Sequence, residues 1–139
     1  MSKRLRGEEE WRKIAERCQE LFENAKDVIY VHDLSGRYTS VNRAGEELTG
    51  YTRDEILRMN IADFVPAEHM DKVRSRLRQK LKDQEPTTYE IEIINSAGLR
   101  IPLEVNSRLI HEAGVPVAVQ GIAPDISKRK RNEQAPGGF

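Results

Sequence analysis

Three histidines, one cysteine and a large set of carboxylates are the residues of this chain with chemistry to offer. His32, His69 and His111 are scattered, without the close spacing that ligates a metal. They read as structural or solvated, and no metal site is expected. Cys18 has only Arg17 beside it as a basic neighbour, short of the electropositive pocket that activates a thiol. It reads as a core or interface residue. The chain has no phosphate-cradling glycine loop, no Gly-x-Ser-x-Gly elbow and no His-Glu-x-x-His. The carboxylates fall mostly on faces that will be wet. No catalytic constellation forms, so no enzyme is expected and no catalytic residue is assigned.

The bulk properties narrow the class further. The chain has 139 residues, with 23 basic and 23 acidic ones. That length suits one domain with one core. The neutral balance gives no support to nucleic-acid binding, although Lys72, Arg74, Arg76, Arg78 and Lys80 crowd one segment. That segment reads as a solvated helix face. No apolar run approaches a membrane span, and the basic-then-acidic start is not a signal peptide. A single cysteine excludes an internal disulfide, and a cytoplasmic address is the simplest expectation.

Elements must now be found to position these residues. Trp11, Ile14, Cys18, Leu21 and Ala25 are spaced 3, 4, 3, 4 over a helix expected at residues 8–26. That is an a/d pattern, which serves either an amphipathic helix packed on its own domain or a dimer seam. Two strands follow, Val28 to His32 and Tyr38 to Val41, separated by Asp33-Leu34-Ser35-Gly36. Asp at the first position and Gly at the fourth suit a type I turn. Asn95-Ser96-Ala97-Gly98 and His111-Glu112-Ala113-Gly114 repeat that spacing. The flanks alternate: Tyr89, Ile91 and Ile93; Ile101, Leu103, Val105 and Leu109; Val115, Val117 and Val119. Each strand thus has one buried and one wet face, with Pro102 and Pro116 outward. Between the second and third strands, Asn42 can cap a helix from Arg43 to Thr49 that ends at Gly50. A turn opens at Thr52 or Asp54, a connector runs from Asn60 to Phe64, and a longer helix runs from Glu68 to Lys82. Met70, Val73, Leu77 and Leu81 form the apolar face of that longer helix. The expected fold is α+β, a five-stranded antiparallel sheet with helices on one face and an N-terminal amphipathic helix.

Four motifs occur in an order that resembles the PAS family. Val41-Asn42-Arg43-Ala44 with Leu48-Thr49-Gly50-Tyr51 resembles its strand-to-helix signature, and Thr52-Arg53-Asp54-Glu55-Ile56 its continuation. Ser96-Ala97-Gly98 and the next strand resemble its fourth strand. Asp125-Ile126-Ser127-Lys128-Arg129-Lys130 is similar to its C-terminal Asp-Ile-Thr motif. The resemblance covers residues 18–131. It implies a sheet order of 2-1-5-4-3, a cavity between the sheet and the central helices, and helical linkers passing signals to kinases or similar effectors. It divides the chain into an N-terminal helix (1–26), a sensor domain (27–126) and an outgoing linker with a tail (127–139).

The resemblance also frames the cofactor question. Flavin photosensors of the family carry a reactive Cys after an Asn in the connector helix, where this chain has Asn60-Ile61. Haem-binding members carry a His in the long helix, at the position of Val73. Neither flavin nor haem is expected, so the cavity is either filled by side chains or holds a small organic ligand. The inward ligand-pocket candidates are Tyr89, Ile91, Ile93, Leu103, Val105, Val117 and Val119, with plain core as their other reading. Asn42 is either a helix cap or a pocket residue. Two functions stay open. One is a sensor that relays the state of a ligand or partner through its terminal helices to a C-terminal effector such as a histidine kinase. The other is a ligand-free dimerisation module. The expected homodimer uses Trp11, Ile14, Cys18, Leu21 and Ala25, and Asp125, Ile126 and Ser127 form the expected signal junction.

Overall fold

The computed structural model describes residues 3–134, and side chains over residues 7–133. The last five residues of the expected tail lie outside the described residues. In chain order the elements are helix α1 (Lys3–Asn24), strands β1 (Val28–Asp33) and β2 (Tyr38–Val41), helices α2 (Arg43–Thr49), α3 (Arg53–Ile56), α4 (Ile61–Phe64) and α5 (Ala67–Asp83), strands β3 (Thr87–Ile94), β4 (Arg100–Glu112) and β5 (Val115–Ala123), and helix α6 (Ser127–Gln134). The strands form one antiparallel sheet in the order β2-β1-β5-β4-β3. β1 and β5, first and last in sequence, are therefore neighbours near its centre. Among the described residues, no helix is long and apolar enough to cross a membrane.

Turn chemistry sets the register. Asp33 Oδ1 accepts from the backbone N–H of Ser35 and of Arg37, both at 3.0 Å. Asn95 Oδ1 does the same for Ala97 (3.0 Å) and Leu99 (2.9 Å). These two turns are built by a short oxygen-bearing side chain at the first position. The turn after β4 departs from the expected type I pattern. His111 has no such oxygen, and the hairpin closes instead through Ala113 and Gly114, both at positive φ (51° and 78°). That two-residue geometry matches the twist of the flanking strands and asks a left-handed conformation of Ala113.

The helices start where their caps are. Thr52 caps α3, with its side chain accepting from Glu55 N–H while the Glu55 side chain accepts from Thr52 N–H. Asn60 and Asp63 cap α4 in the same reciprocal way. Gly50 ends α2 in the left-handed region at φ 77°. The core lies between the inner face of the sheet and α2 to α5, with Ile56, Phe64, Val65, Ile91, Leu103 and Val105 among its buried members.

Two expectations about the helices change. α1 stops at Asn24, so Ala25 lies past its end. Trp11, Ile14 and Leu21 are 72%, 52% and 67% exposed, and Cys18 is exposed too. The stripe therefore does not pack on its own domain. In α5, Leu81 is 39% exposed while Lys80, expected on the solvated face, is 2% exposed. Met70, Val73, Leu77 and Lys80 continue one stripe at 3, 4, 3 spacing, and Lys80 takes the inward end of it because its ammonium finds hydroxyls there.

Candidate functional site

The inner face of the sheet and the short helices enclose an apolar cavity of about 50 Å³. Tyr38, Ile56, Phe64, Ile91, Leu103 and Val105 are among its walls. An edge-to-face chain of rings runs along it: Tyr30 to Tyr38 (5.7 Å between centroids), Tyr38 to Phe64 (5.6 Å) and Phe64 to Tyr51 (5.6 Å). Burial holds the Tyr30 and Tyr38 phenols well above their ordinary pKa, so both are neutral donors at physiological pH. A cavity of this size takes a few water molecules and lies far below the several hundred Å³ typical of organic ligand sites.

A second chamber of about 230 Å³ lies beside it under α5. His32, Ile61, Met70, Arg74, Lys80 and Tyr89 are among its walls. The Lys80 ammonium donates to Thr87 Oγ1 and to Ser107 Oγ, each at 3.0 Å. Thr87 and Ser107 are direct cross-strand partners of β3 and β4. Desolvation, aided by repulsion from Arg76, pulls the Lys80 pKa down to about 8. His32 Nδ1–H donates to the Asp33 carbonyl at 2.7 Å, and burial lowers the His32 pKa, so its ring is neutral at pH 7.

The inward strand candidates divide between these two spaces. Ile91, Ile93, Leu103 and Val105 line the central cavity, and Tyr89 and Val119 line the chamber. Val117 lines neither; it is only half-buried, close to the β4–β5 hairpin where a bulge at Ile110/His111 shifts the register. Ile61, at the flavin-cysteine position of the resemblance, lines both spaces, and Val73, at the haem-histidine position, lines the chamber. Neither side chain offers a sulfur or nitrogen, and neither space has the volume of a haem or flavin site. At these two positions the residues present cannot supply the flavin-cysteine or the haem-histidine bond.

Asn42 faces neither space. It is fully buried. Its Oδ1 accepts from Ile29 N–H (3.0 Å) and Gly45 N–H (3.2 Å). Its Nδ2 donates to the carbonyls of Phe22 (3.0 Å) and Asp27 (3.0 Å). All four hydrogen-bonding capacities of the amide are used, and they join the end of α1, the linker, β1 and α2. The pocket reading of Asn42 gives way to a cap that is also a clasp. Arg53 reinforces it: its Nε donates to the Val41 carbonyl at 3.1 Å and its guanidinium pairs with Glu23 of α1.

The outgoing end has its own joint. Asp125 makes an isolated bridge with Leu103, and Ile126 N–H donates to the Pro102 carbonyl at 3.0 Å. Asp125 Oδ1 accepts from Ser127 N–H, the first of α6, at 2.8 Å in a local Asx-type turn, and Ile126 between them is buried. α6 then lies over the outward side of β3 and β4. Arg129 pairs with Glu90 (2.6 Å) and Glu104 (3.3 Å), which face each other across the two strands. One guanidinium thus offsets a like-charged cross-strand pair.

Two side-chain groups remain. Glu68, His69 and Glu92 come together at the surface with metal-ligand spacing. Arg100 already pairs with both carboxylates, so the cluster closes as an ion-pair network. His111 contacts Gln84 at 2.7 Å on the surface.

Known proteins share this arrangement. A family model described as the PAS fold matches residues 16–126. A methyl sulfide methyltransferase-associated sensor from Methanosarcina acetivorans is 32% identical over 120 residues, which are 86% of this chain and 12% of that protein. This chain therefore spans about an eighth of that relative's length. The PAS domain of an HTR-like protein from Haloarcula marismortui superposes with a TM-score of 0.75 at 26% identity, covering 87% of this chain and 98% of that one. A domain of a sensory box sensor histidine kinase/response regulator from Geobacter sulfurreducens gives a TM-score of 0.65 at 27% identity, over 80% of this chain and 93% of that one. With the strand order β2-β1-β5-β4-β3 and a family match reaching from α1 to Ile126, the chain belongs to the PAS family.

Proposed function

We propose that this PAS domain is a sensory relay in which α1 and α6 are mechanical arms of one sheet, with α6 leading to an effector of the histidine-kinase type. One observation carries the reading: Val28, where the chain enters the sheet, is the direct cross-strand partner of Ala123, where it leaves. The two strands therefore hold the point where the chain enters the sheet from α1 beside the point where it leaves towards α6. Asn42 fixes one joint and Asp125 the other, so repacking of the core beneath β1 and β5 displaces both arms together. The names of the Methanosarcina and Geobacter relatives, a sensor and a sensor histidine kinase/response regulator, agree with this use.

The test is a fusion of residues 1–131 to a histidine kinase in a natural helical phase, comparing Asp125→Ala with the parent. The relay reading expects a variant that melts close to the parent but whose kinase output is locked on or off. Normal regulation would leave Asp125 as a local turn residue alone.

A second reading, a dimerisation module, is favoured by the exposed apolar stripe of Trp11, Ile14 and Leu21 on α1. The two combine if α1 pairs with its counterpart in a second copy, because the Asn42 clasp then ties the dimer seam to the sheet.

A further inference from the structure

Lys80 is the least settled charge among the described residues. An ammonium has three N–H donors, and Lys80 gives two of them to the neutral oxygens of Thr87 and Ser107, with the Tyr89 ring centroid 5.8 Å away as its other polar contact. Among the described residues the neighbour that acts on its charge is another cation, Arg76, and no carboxylate pairs with it, yet it is 2% exposed. A buried cation without a counter-ion is costly, and buried charges are ordinarily paired. The chamber that Lys80 lines shows the same imbalance. Its walls include Lys80, the neutral imidazole of His32 and Arg74, whose guanidinium pairs outward with Asp71 at 3.6 Å, and no aspartate or glutamate lines the space. Arg76 adds a guanidinium 6.0 Å from the Tyr89 ring centroid. The rest of the lining is mainly apolar, with Ile61, Met70, Val73, Leu77 and Val119.

We propose that the chamber under α5 binds a small organic monocarboxylate, its carboxylate held by the Lys80 ammonium and its hydrocarbon part lying against Met70, Val73 and Val119. The chemistry follows from what is missing: one negative charge for Lys80, and apolar bulk for a chamber of about 230 Å³. A carboxylate supplies the first without the several charges of a phosphate, for which the single buried cation is no match. The Thr87 and Ser107 hydroxyls accept from Lys80, contact each other at 3.4 Å, and Ser107 also bonds the Tyr89 hydroxyl, so they fix the ammonium in place.

Lys80 also makes binding respond to pH. The titratable and charged groups around it are His32 from β1, Arg74 and Arg76 from α5 and Tyr89 from β3; β4 contributes only the Ser107 hydroxyl. None supplies a negative charge at neutral pH. The free ammonium titrates near 8, and a bound carboxylate draws that value back up, so binding takes up protons and weakens as the pH rises past 8.

This inference names the ligand class for the relay reading and deepens it, but it is measured by binding alone. The experiment titrates the protein with butyrate and benzoate, and with benzamide as the uncharged control, by calorimetry and by amide chemical-shift mapping. The expected result is that a carboxylate binds with shifts centred on His32, Met70, Val73, Lys80 and Val119, that benzamide does not bind, and that Lys80→Met weakens the carboxylate by about tenfold or more. Affinity should fall between pH 7 and pH 9 in the parent and not in the variant. If Lys80→Met fails to fold, the shift map and the pH dependence of the unaltered protein decide the matter. The proposal is overturned if neither carboxylate binds at millimolar concentration, if benzamide binds as well, or if the shifts map elsewhere. Such a failure would remove the ligand while leaving the kinase-fusion result, and the relay, untouched.

Discussion

Gly121 of β5 sits directly opposite Tyr30 of β1, and the tyrosine ring lies over it: a Cβ placed on Gly121 would come within 2.2 Å of the ring carbon Cζ. The contact is possible only because residue 121 has no side chain. It lets a buried tyrosine lie flat across the two central strands, stacked on His32 at 5.8 Å. The ring thus reports directly on the spacing of the strands that carry the two arms.

Gly121→Ala should therefore destabilise the fold. The Tyr30 ring is held between Tyr38 and His32, so a shift away from residue 121 must break those ring contacts. Overpacking of this kind costs about 1–3 kcal/mol, read as a lower urea midpoint with an unchanged slope. Tyr30→Phe combined with Gly121→Ala should recover little, because the clash includes ring carbons as well as the hydroxyl.

Asn42→Asp separates clasp from cap. The carboxylate keeps an acceptor for Ile29 N–H and Gly45 N–H but cannot donate to the carbonyls of Phe22 and Asp27. Leaving buried groups unpaired costs about 1–3 kcal/mol each. The expected outcome is faster hydrogen exchange over residues 20–27 with α2 protection retained. Exchange that rises in α2 alone would reduce Asn42 to a cap.

Lys80 should make stability rise with pH. Between its folded pKa of about 8 and its ordinary 10.5, the unfolded chain binds a proton that the native protein does not, so stability increases with pH across that window. The gain up to pH 10 is about 2–3 kcal/mol. Beyond pH 10 the buried tyrosines, with raised pKa values, reverse the slope, because the unfolded phenols ionise first. Lys80→Met should flatten the rise and gain stability at pH 7, measured by urea unfolding at a series of pH values.

Leu21→Glu tests the exposed stripe. If α1 pairs with a second copy through Trp11, Ile14 and Leu21, the buried carboxylate disrupts the seam and the variant sediments as a folded monomer. Because Leu21 is 67% exposed within one chain, the fold itself should lose no more than about 0.5 kcal/mol. A parent that is already monomeric at tens of micromolar would refute the seam.

Much of the architecture was legible because it rests on local chemistry. Alternation of Ile91, Ile93, Leu103 and Val105 with polar residues marks strands with one dry face. Asp33 and Asn95 build their turns with their own side chains, and Asn42 and Gly50 bound α2 as caps do. Each of these signals is complete within a few residues. The spacing of Trp11, Ile14, Cys18 and Leu21 likewise defined an apolar stripe. Whether that stripe is covered by its own domain depends on where α1 projects, and only the tertiary structure leaves it open to solvent.

The remaining features depend on partners distant in sequence. Lys80 reads as one basic residue among several until Thr87 and Ser107 are brought over it by the pairing of β3 with β4. A local trace existed in hydroxyl residues at inward strand positions, where an apolar side chain would be usual, but nothing in periodicity assigns them a lysine. Asn42 was legible as a cap because its bond to Gly45 is local; its bonds to Phe22 and Asp27 reach 20 and 15 residues back. Val117 followed the alternation yet lies outside both cavities, since Ile110 pairs with Ala118 and His111 with Pro116, which leaves Val117 as the extra residue of a bulge that only the pairing of β4 with β5 defines. Periodicity decides which side of a strand or helix is dry. Which group meets which across that dry space is decided by sheet order and helix placement, and those are set by the summed burial of the whole core.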